Sequence, residues 1–345
     1  MLAVLALIAL RLALGCHFLY EGLWKVKRSD FRHDAMWKSE KELGDEFRAA
    51  PFLTTAKGPV AGFFYSMVPD IDARQRLHVE VVEVKGKRTN VINSDGIADR
   101  WDRIRQDFVD YYKLPTSSRT RAGGDHATFT QDDAKEVYTR FRERLDKYLT
   151  ENADDIAAYF GSLDRFENDK ERKQDAPFQK QRRWDRMIEL RGEADKWIKN
   201  IEGQERAYAQ SLYSRLDDGQ RERGLVTSSW NPLQWDRMKQ IDFVVTVSLT
   251  AIGLCLMLGL CTPLAALGGA CFMCFVVLTQ PAFPTIYPHD PPVVGHSLGV
   301  NKDFIEMLAL LVIAATRAGR WGGLDVFVSR WIIRPLFSRK SPKTK

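Results

Sequence analysis

Six ionisable side chains stand within or at the edges of stretches that are otherwise apolar: Arg11, His17, Glu21, Lys25, Lys302 and Glu306. Such a group inside a hydrocarbon layer costs several kcal/mol, roughly 2.5–3.5 on insertion scales, unless it is paired or hydrated. Each therefore needs a physical reason. At helical spacing Arg11, Gly15, Phe18, Gly22 and Lys25 share one face, and His17 and Glu21, four apart, form a neighbouring one. With a rise of about 1.5 Å per residue, Glu306 lies about 6 Å below Lys302 and Glu21 about 6 Å below Lys25. If both helices end at a common interface, Glu306, Glu21 and Lys25, with His17, gather at one level. Arg11 lies about 21 Å from Lys25 on the same rise, near the midplane, where Thr246, Ser248 and Thr250 are expected hydrogen-bond partners. Two chemistries fit. The charges tie helices together and snorkel to the interface, or they form a small outward-facing polar pocket for a quinone head group or another redox-active small molecule. In the second case His289 and His296, in the Pro-rich stretch 281–300, are candidate proton-exchanging groups.

Cys271-Phe272-Met273-Cys274 is a C-x-x-C with both thiols on one face of an apolar helix. Membrane-embedded dithiols use this spacing, but Cys in an apolar segment also behaves as a small hydrophobe, and nothing near it in sequence would lower a thiol pKa. All five cysteines (16, 255, 261, 271 and 274) fall in apolar segments, so no disulfide framework is expected. No Gly-rich phosphate loop, metal-ligand spacing or nucleophile elbow is present.

The elements that must position these groups follow from hydropathy. The mean hydropathy of −0.31 averages two solvents. Residues 1–20 and 240–280 are almost free of charge, and 304–316 carry a single Glu, whereas the long centre is dense in charge. Crossing about 30 Å of hydrocarbon takes about 20 helical residues. Residues 1–28 supply one span, expected to be a helix rather than a signal sequence: no basic region opens it, Arg11 interrupts it and no cleavage site follows. Gly259 and Pro263 divide the second stretch into spans at about 242–260 and 263–280. A fourth, at about 302–317, is long enough only if its polar flanks sit at the interfaces. Residues 29–237 form an inserted, mostly helical extramembrane domain, with membrane helices at 238–320 and a basic amphipathic tail at 321–345. The expected class is all-α: a four-helix transmembrane bundle carrying that insert.

Residues 29–237 hold 37 Lys and Arg against 39 Asp and Glu, so the net charge of +6 resides in the membrane parts and no nucleic-acid face is expected. Beyond 316 there are eight basic residues and one acid, Asp325, which places the tail in the cytoplasm and, with four spans, the insert outside. Lys25, Lys27 and Arg28 oppose that local bias. Within the insert, 51–69 reads as a packed helix or a segment resting on the bilayer, and 78–84 alternates like one isolated strand. Trp101, Ile104, Phe108 and Tyr111/Tyr112 begin a series of narrow apolar stripes, continued over 134–160 and 184–216. Trp230 and Trp235 precede the second span as interfacial anchors.

Four stretches carry a family resemblance: Arg11–Gly15 with Phe18, Gly22 and Lys25; 253–267 (GLCLMLGLCTPLAAL); 301–316 (NKDFIEMLALLVIAAT); and 319–325 (GRWGGLD). The chain resembles the DoxX family of small four-span bacterial membrane proteins, which includes the DoxD-type subunit of thiosulfate:quinone oxidoreductase. The resemblance implies a multi-pass component of a bacterial cytoplasmic-membrane redox system, acting on quinone or small sulfur or thiol compounds. The large insert departs from that pattern. It offers an alternative function, a non-enzymatic scaffold whose Trp- and Tyr-rich stripes recruit an extracytoplasmic partner.

Overall fold

The computed structural model describes residues 1–84, 86–116, 128–168, 177–280, 300–316, 318–328 and 330. The protein is mostly helical and divides into two compact units. One comprises Met1–Asp30, Glu46–Val68 and the chain from Asp236 on; the other comprises Phe31–Asp45 and Pro69–Trp235. The elements in chain order are α1 (Leu2–Arg28), α2 (Glu40–Asp45), α3 (Ala50–Thr54), α4 (Ala61–Tyr65), β1 (Val79–Val84), β2 (Lys87–Ile92), α5 (Asp95–Tyr112), α6 (Gln131–Glu151), α7 (Ala153–Asn168), α8 (Pro177–Ser214), α9 (Asp218–Arg221), α10 (Arg237–Leu258), α11 (Thr262–Thr279), α12 (Lys302–Ala315) and α13 (Asp325–Val328).

In the first unit α1, α10 and α11 are long and apolar enough to cross a membrane. The fourth expected span, α12, has 14 residues and ends at Ala315, so it falls short by itself. Helix α1 packs along α10, and α11 packs along α12. The turn between α10 and α11 uses the residues the sequence offers for it. Gly259 adopts the left-handed conformation at φ 63°, ends α10, and lets the Leu260 amide return to the Cys255 carbonyl at 2.8 Å. Pro263 then opens α11, where its missing N–H costs nothing. Close helix approach depends on absent side chains. A Cβ on Gly22 would lie 2.5 Å from Thr250 Oγ1, and one on Gly253 would overlap the backbone of Leu19. Phe18, Leu249, Leu256, Ala266, Leu310 and Ile313 fill the space between the helices.

The segment 46–68, which by hydropathy alone belonged with the insert, groups with the membrane helices. It forms two short helices and the turn between them, in which Leu53, Ala56, Ala61 and Phe64 are buried with Met238 and Ile241 beside them.

The second unit is a helical body with its own core. The stripe residues Trp101, Phe108, Phe141, Leu145, Ile156, Tyr159, Tyr208 and Leu212 are all buried in it. A hairpin corrects the reading of an isolated strand: β1 pairs antiparallel with β2, from Val79 opposite Ile92 to Val84 opposite Lys87. The signal for β2 was weak because Lys, Arg, Thr and Asn fill most of it, and Gly86 at φ 78° is the turn residue. The stripe over 134–160 is two helices, broken at Asn152, and α7 continues through Gly161 to Asn168. A capping box between Thr130 and Asp133 starts α6.

Candidate functional site

Helices α1 and α12 bring four of the six predicted groups into two adjoining pairs. His17 Nε2 lies 3.7 Å from Glu306 Oε1, and Lys25 Nζ donates to Glu21 Oε2 at 2.9 Å. The expected meeting of Glu306 with Lys25 does not occur. Glu306 reaches the residue two turns deeper on α1, so its carboxylate sits within the apolar layer rather than at its edge. Its Oε1 is shielded from solvent and accepts no hydrogen bond among the described residues. Unmet acceptors of this kind are uncommon in folded proteins, and a ligand's donor or a water is among the things that can satisfy one. The side chain of His17 is 57% exposed, facing out of the bundle, against 18% for Glu306. Lys25 is buried, with its ammonium 4.8 Å from the centre of the Phe47 ring, so its charge is met by Glu21 and an aromatic face. Lys302 is exposed. Asn301, buried beside it, positions the start of α12 by accepting from the Phe304 amide at 2.8 Å.

Arg11 is elsewhere, and its expected partners are wrong. It is fully buried at the opposite end of the bundle, level with the turn after α10, and donates to the carbonyls of Ala318 (3.1 Å) and Gly322 (3.4 Å). The hydroxyls of Thr246 and Thr250 bond instead to carbonyls of their own helix, Asp242 and Thr246. The buried carboxylate of Asp325 acts electrostatically on Arg11 and accepts the Thr262 amide at 3.0 Å, capping α11 from 63 residues away. Two backbone bonds fasten the same loop: Leu324 to Leu258 (3.1 Å) and Asp325 to Gly259 (2.8 Å). There is no room for side chains in this knot. A Cβ on Gly259 would lie 2.5 Å from Arg11 Nη1, one on Gly323 2.6 Å from it, and one on Gly319 would overlap Asp325 and Thr262.

Thr262, Gly259, Gly319, Gly323 and Asp325 are therefore the residues that reasoning about polar groups missed. The available signal was the density of Gly around one acid in 319–325. Asp242 was missed too: its Oδ1 accepts the Ala49 amide at 2.7 Å.

Among the described residues the remaining predicted groups do not join either cluster. Cys271 is exposed and Cys274 half-buried on α11, and all five thiols are free. The ring between them, Phe272, packs edge-on against Phe18 at 6.3 Å, so this part of α11 serves helix packing. His289, His296 and the tail beyond 330 lie outside the described residues. Trp230 is exposed, and Trp235 stacks on Phe31 at 5.8 Å.

Compared with known proteins, the chain matches no family model, no curated protein and no solved structure.

Proposed function

We propose that this chain is a multi-pass protein of a bacterial cytoplasmic membrane, similar to the DoxX proteins. In it α12 completes a four-helix bundle with α1, α10 and α11, and the insert lies outside. The chemistry we assign to it is binding of a quinone or a comparably small redox-active sulfur or thiol compound beside Glu306 and His17, as part of a membrane redox system. One observation carries the reading: a carboxylate oxygen buried among apolar helices, without a hydrogen-bond donor among the described residues, 3.7 Å from an imidazole that opens to the outside of the bundle. A quinol hydroxyl or a thiol supplies the missing donor; a quinone, which has only carbonyl acceptors, is met instead by the protonated acid.

Reduction of a quinone to a quinol consumes two electrons and two protons. The residues here address only the protons. Glu306 as a carboxylic acid and His17 as an imidazolium would each give one up to a carbonyl oxygen of the ring. The neighbouring Glu21–Lys25 pair, one turn nearer the edge, is neutral as a pair and adds no net charge to the site. Electrons would come from a donor protein. The second reading, a scaffold that recruits partners through aromatic stripes, has less to stand on, since Trp101, Tyr112, Tyr159 and Tyr208 are buried in the insert's own core.

The test is mass analysis of the gently extracted protein for co-purifying quinone, together with quinone reduction by membranes carrying Glu306→Gln or His17→Leu. Both substitutions should lower quinone retention and turnover by an order of magnitude or more. Unchanged turnover in both variants would remove the redox reading.

A further inference from the structure

Residues 46–68 form a collar at one end of the membrane unit, fastened to the same end of three helices. Phe47 lies under the Lys25 ammonium near the end of α1. The Ala49 amide donates to Asp242 near the start of α10, and the Lys57 amide donates at 2.8 Å to the carbonyl of Thr279, the last residue of α11. The Tyr65 hydroxyl closes the collar on itself by donating to the Ala56 carbonyl at 2.5 Å. Helices as short as α3 and α4, five residues each, have no stability of their own, so these anchors determine their position.

The collar has two faces. Leu53, Ala56, Ala61 and Phe64 turn inward and are buried, while Phe52 and Phe63 turn outward and are 56% and 52% exposed. The outer face is continuous with that of α11. The Phe63 ring stacks on Phe275 at 6.4 Å with 19° between planes, and Phe275 is itself half-exposed on a helix apolar and long enough to span a membrane. Phe275 lies four residues, about 6 Å, inside the end of α11.

We infer that the collar is an interfacial element whose occupant is lipid: Phe52 and Phe63 enter the boundary between headgroups and acyl chains around the bundle. A protein partner is disfavoured by that continuity, because whatever covers Phe63 also covers Phe275, and Phe275 belongs to the apolar flank of α11. Amphipathic segments at this depth bury their apolar side about 5–10 Å into the boundary. Anchored to all three helix ends, the collar then sets the depth at which Lys25, Asp242 and Thr279 stand. This inference rests on the membrane placement of α11 and is independent of any quinone.

The experiment uses the full chain in nanodiscs of phosphatidylethanolamine and phosphatidylglycerol. A spin label is placed at Phe52→Cys, Phe63→Cys or, as a control, Leu267→Cys on α11, in a background with the five native cysteines replaced. Accessibility to oxygen should exceed that to a water-soluble nickel chelate several-fold at 52, 63 and 267 alike, 267 standing about 7.5 Å inside the other end of α11. A label at 63 that favours the chelate while 267 reads lipid overturns the collar alone; a chelate-accessible 267 overturns the membrane placement and the collar with it. Since replacing the cysteines can disturb folding, a photo-crosslinking phenylalanine analogue at 52 or 63 in the otherwise native chain gives a second readout. Phospholipid adducts support the inference, and adducts to protein alone overturn it.

Discussion

The membrane unit buries charge at two places, and the two are treated differently. At the Arg11 end the guanidinium finds two carbonyls, a carboxylate acts on it from nearby, and that carboxylate is itself used to cap α11. Three glycines are needed for the loop to close over it. At the Glu306 end a carboxylate oxygen is buried with a half-exposed histidine at 3.7 Å and no donor among the described residues. Both charges lie on apolar helices. The first has several partners built in, although Arg11 Nε and the Thr262 hydroxyl are left without one among the described residues, and the buried oxygen of the second has none. The difference is one of degree: extensive compensation suits a structural lock, and a bare buried acceptor leaves room for a ligand's donor.

Removing a partner at each end should widen the contrast. Asp325→Ala leaves the buried Arg11 without its countercharge and the α11 amides without their cap. Asp325 acts on Arg11 without an ion-pair contact, so the firmer loss is the buried Thr262 amide left without its acceptor, which costs roughly 1–3 kcal/mol. Asp325→Ala and Arg11→Leu should therefore each lower the thermal midpoint of the detergent-solubilised protein sharply or abolish its accumulation in membranes. The double variant should recover part of the loss, because it strands no charge. A double variant no better than either single one would break the idea that the two groups are coupled.

Next in size are the close approaches. Gly253→Val pushes a branched side chain into the backbone of Leu19, and overpacking of this kind costs roughly 1–3 kcal/mol. The same change at Gly268, where a Cβ would meet only the Ile252 side chain at 3.8 Å, should leave the midpoint nearly unchanged. Equal effects at the two positions would show that α1 and α10 do not pack as described.

These effects also divide what can be read from sequence from what cannot. The three long spans, the Gly259–Pro263 turn and the stripes of α5, α6 and α8 were legible, because each is a local pattern of hydropathy or backbone freedom. The pairing of His17 with Glu306 and the destination of Arg11 were not. A rise per residue measures depth only along its own helix, and α1, at 27 residues, extends past the end of α10, so counting down from Lys25 put Arg11 at the wrong level. Asp325 looked like a stray acid in a basic tail because its partners, Thr262 and Arg11, are 63 or more residues away. The second strand was hidden for a different reason: its polar side chains give no alternation, and pairing alone makes it a strand.

At the other end of the bundle the expected stability change is small, below about 1 kcal/mol. Glu306→Gln removes a charge that gains little from the fold, and it keeps a carbonyl acceptor of the same shape. The thermal midpoint should stay or rise, while quinone retention and turnover fall. A large drop in midpoint would make Glu306 a tie between α1 and α12, comparable with Arg11, and the contrast between the two ends would vanish.

The smallest effect sharpens the comparison in water. In the insert, Glu205 is a buried carboxylate that does have its donors: Arg100 Nη2 at 3.0 Å and Trp101 Nε1 at 3.1 Å. Burial still outweighs them, holding its pKa above the ordinary glutamate value of 4.5. With the folded pKa raised, the contribution of this residue to stability is full below 4.5 and is lost as the pH rises through the folded value. Glu205→Gln keeps an acceptor for Trp101 and removes the titration. Urea unfolding of the insert, followed by tryptophan fluorescence of the micelle-bound chain, should find the variant gaining on the native protein from pH 4 to pH 8. A difference that stays flat across that range would mean that Arg100 and Trp101 compensate the charge completely. Donors alone would then suffice to make a buried carboxylate inert, and the bare Oε1 of Glu306 would differ from Glu205 only in lacking them.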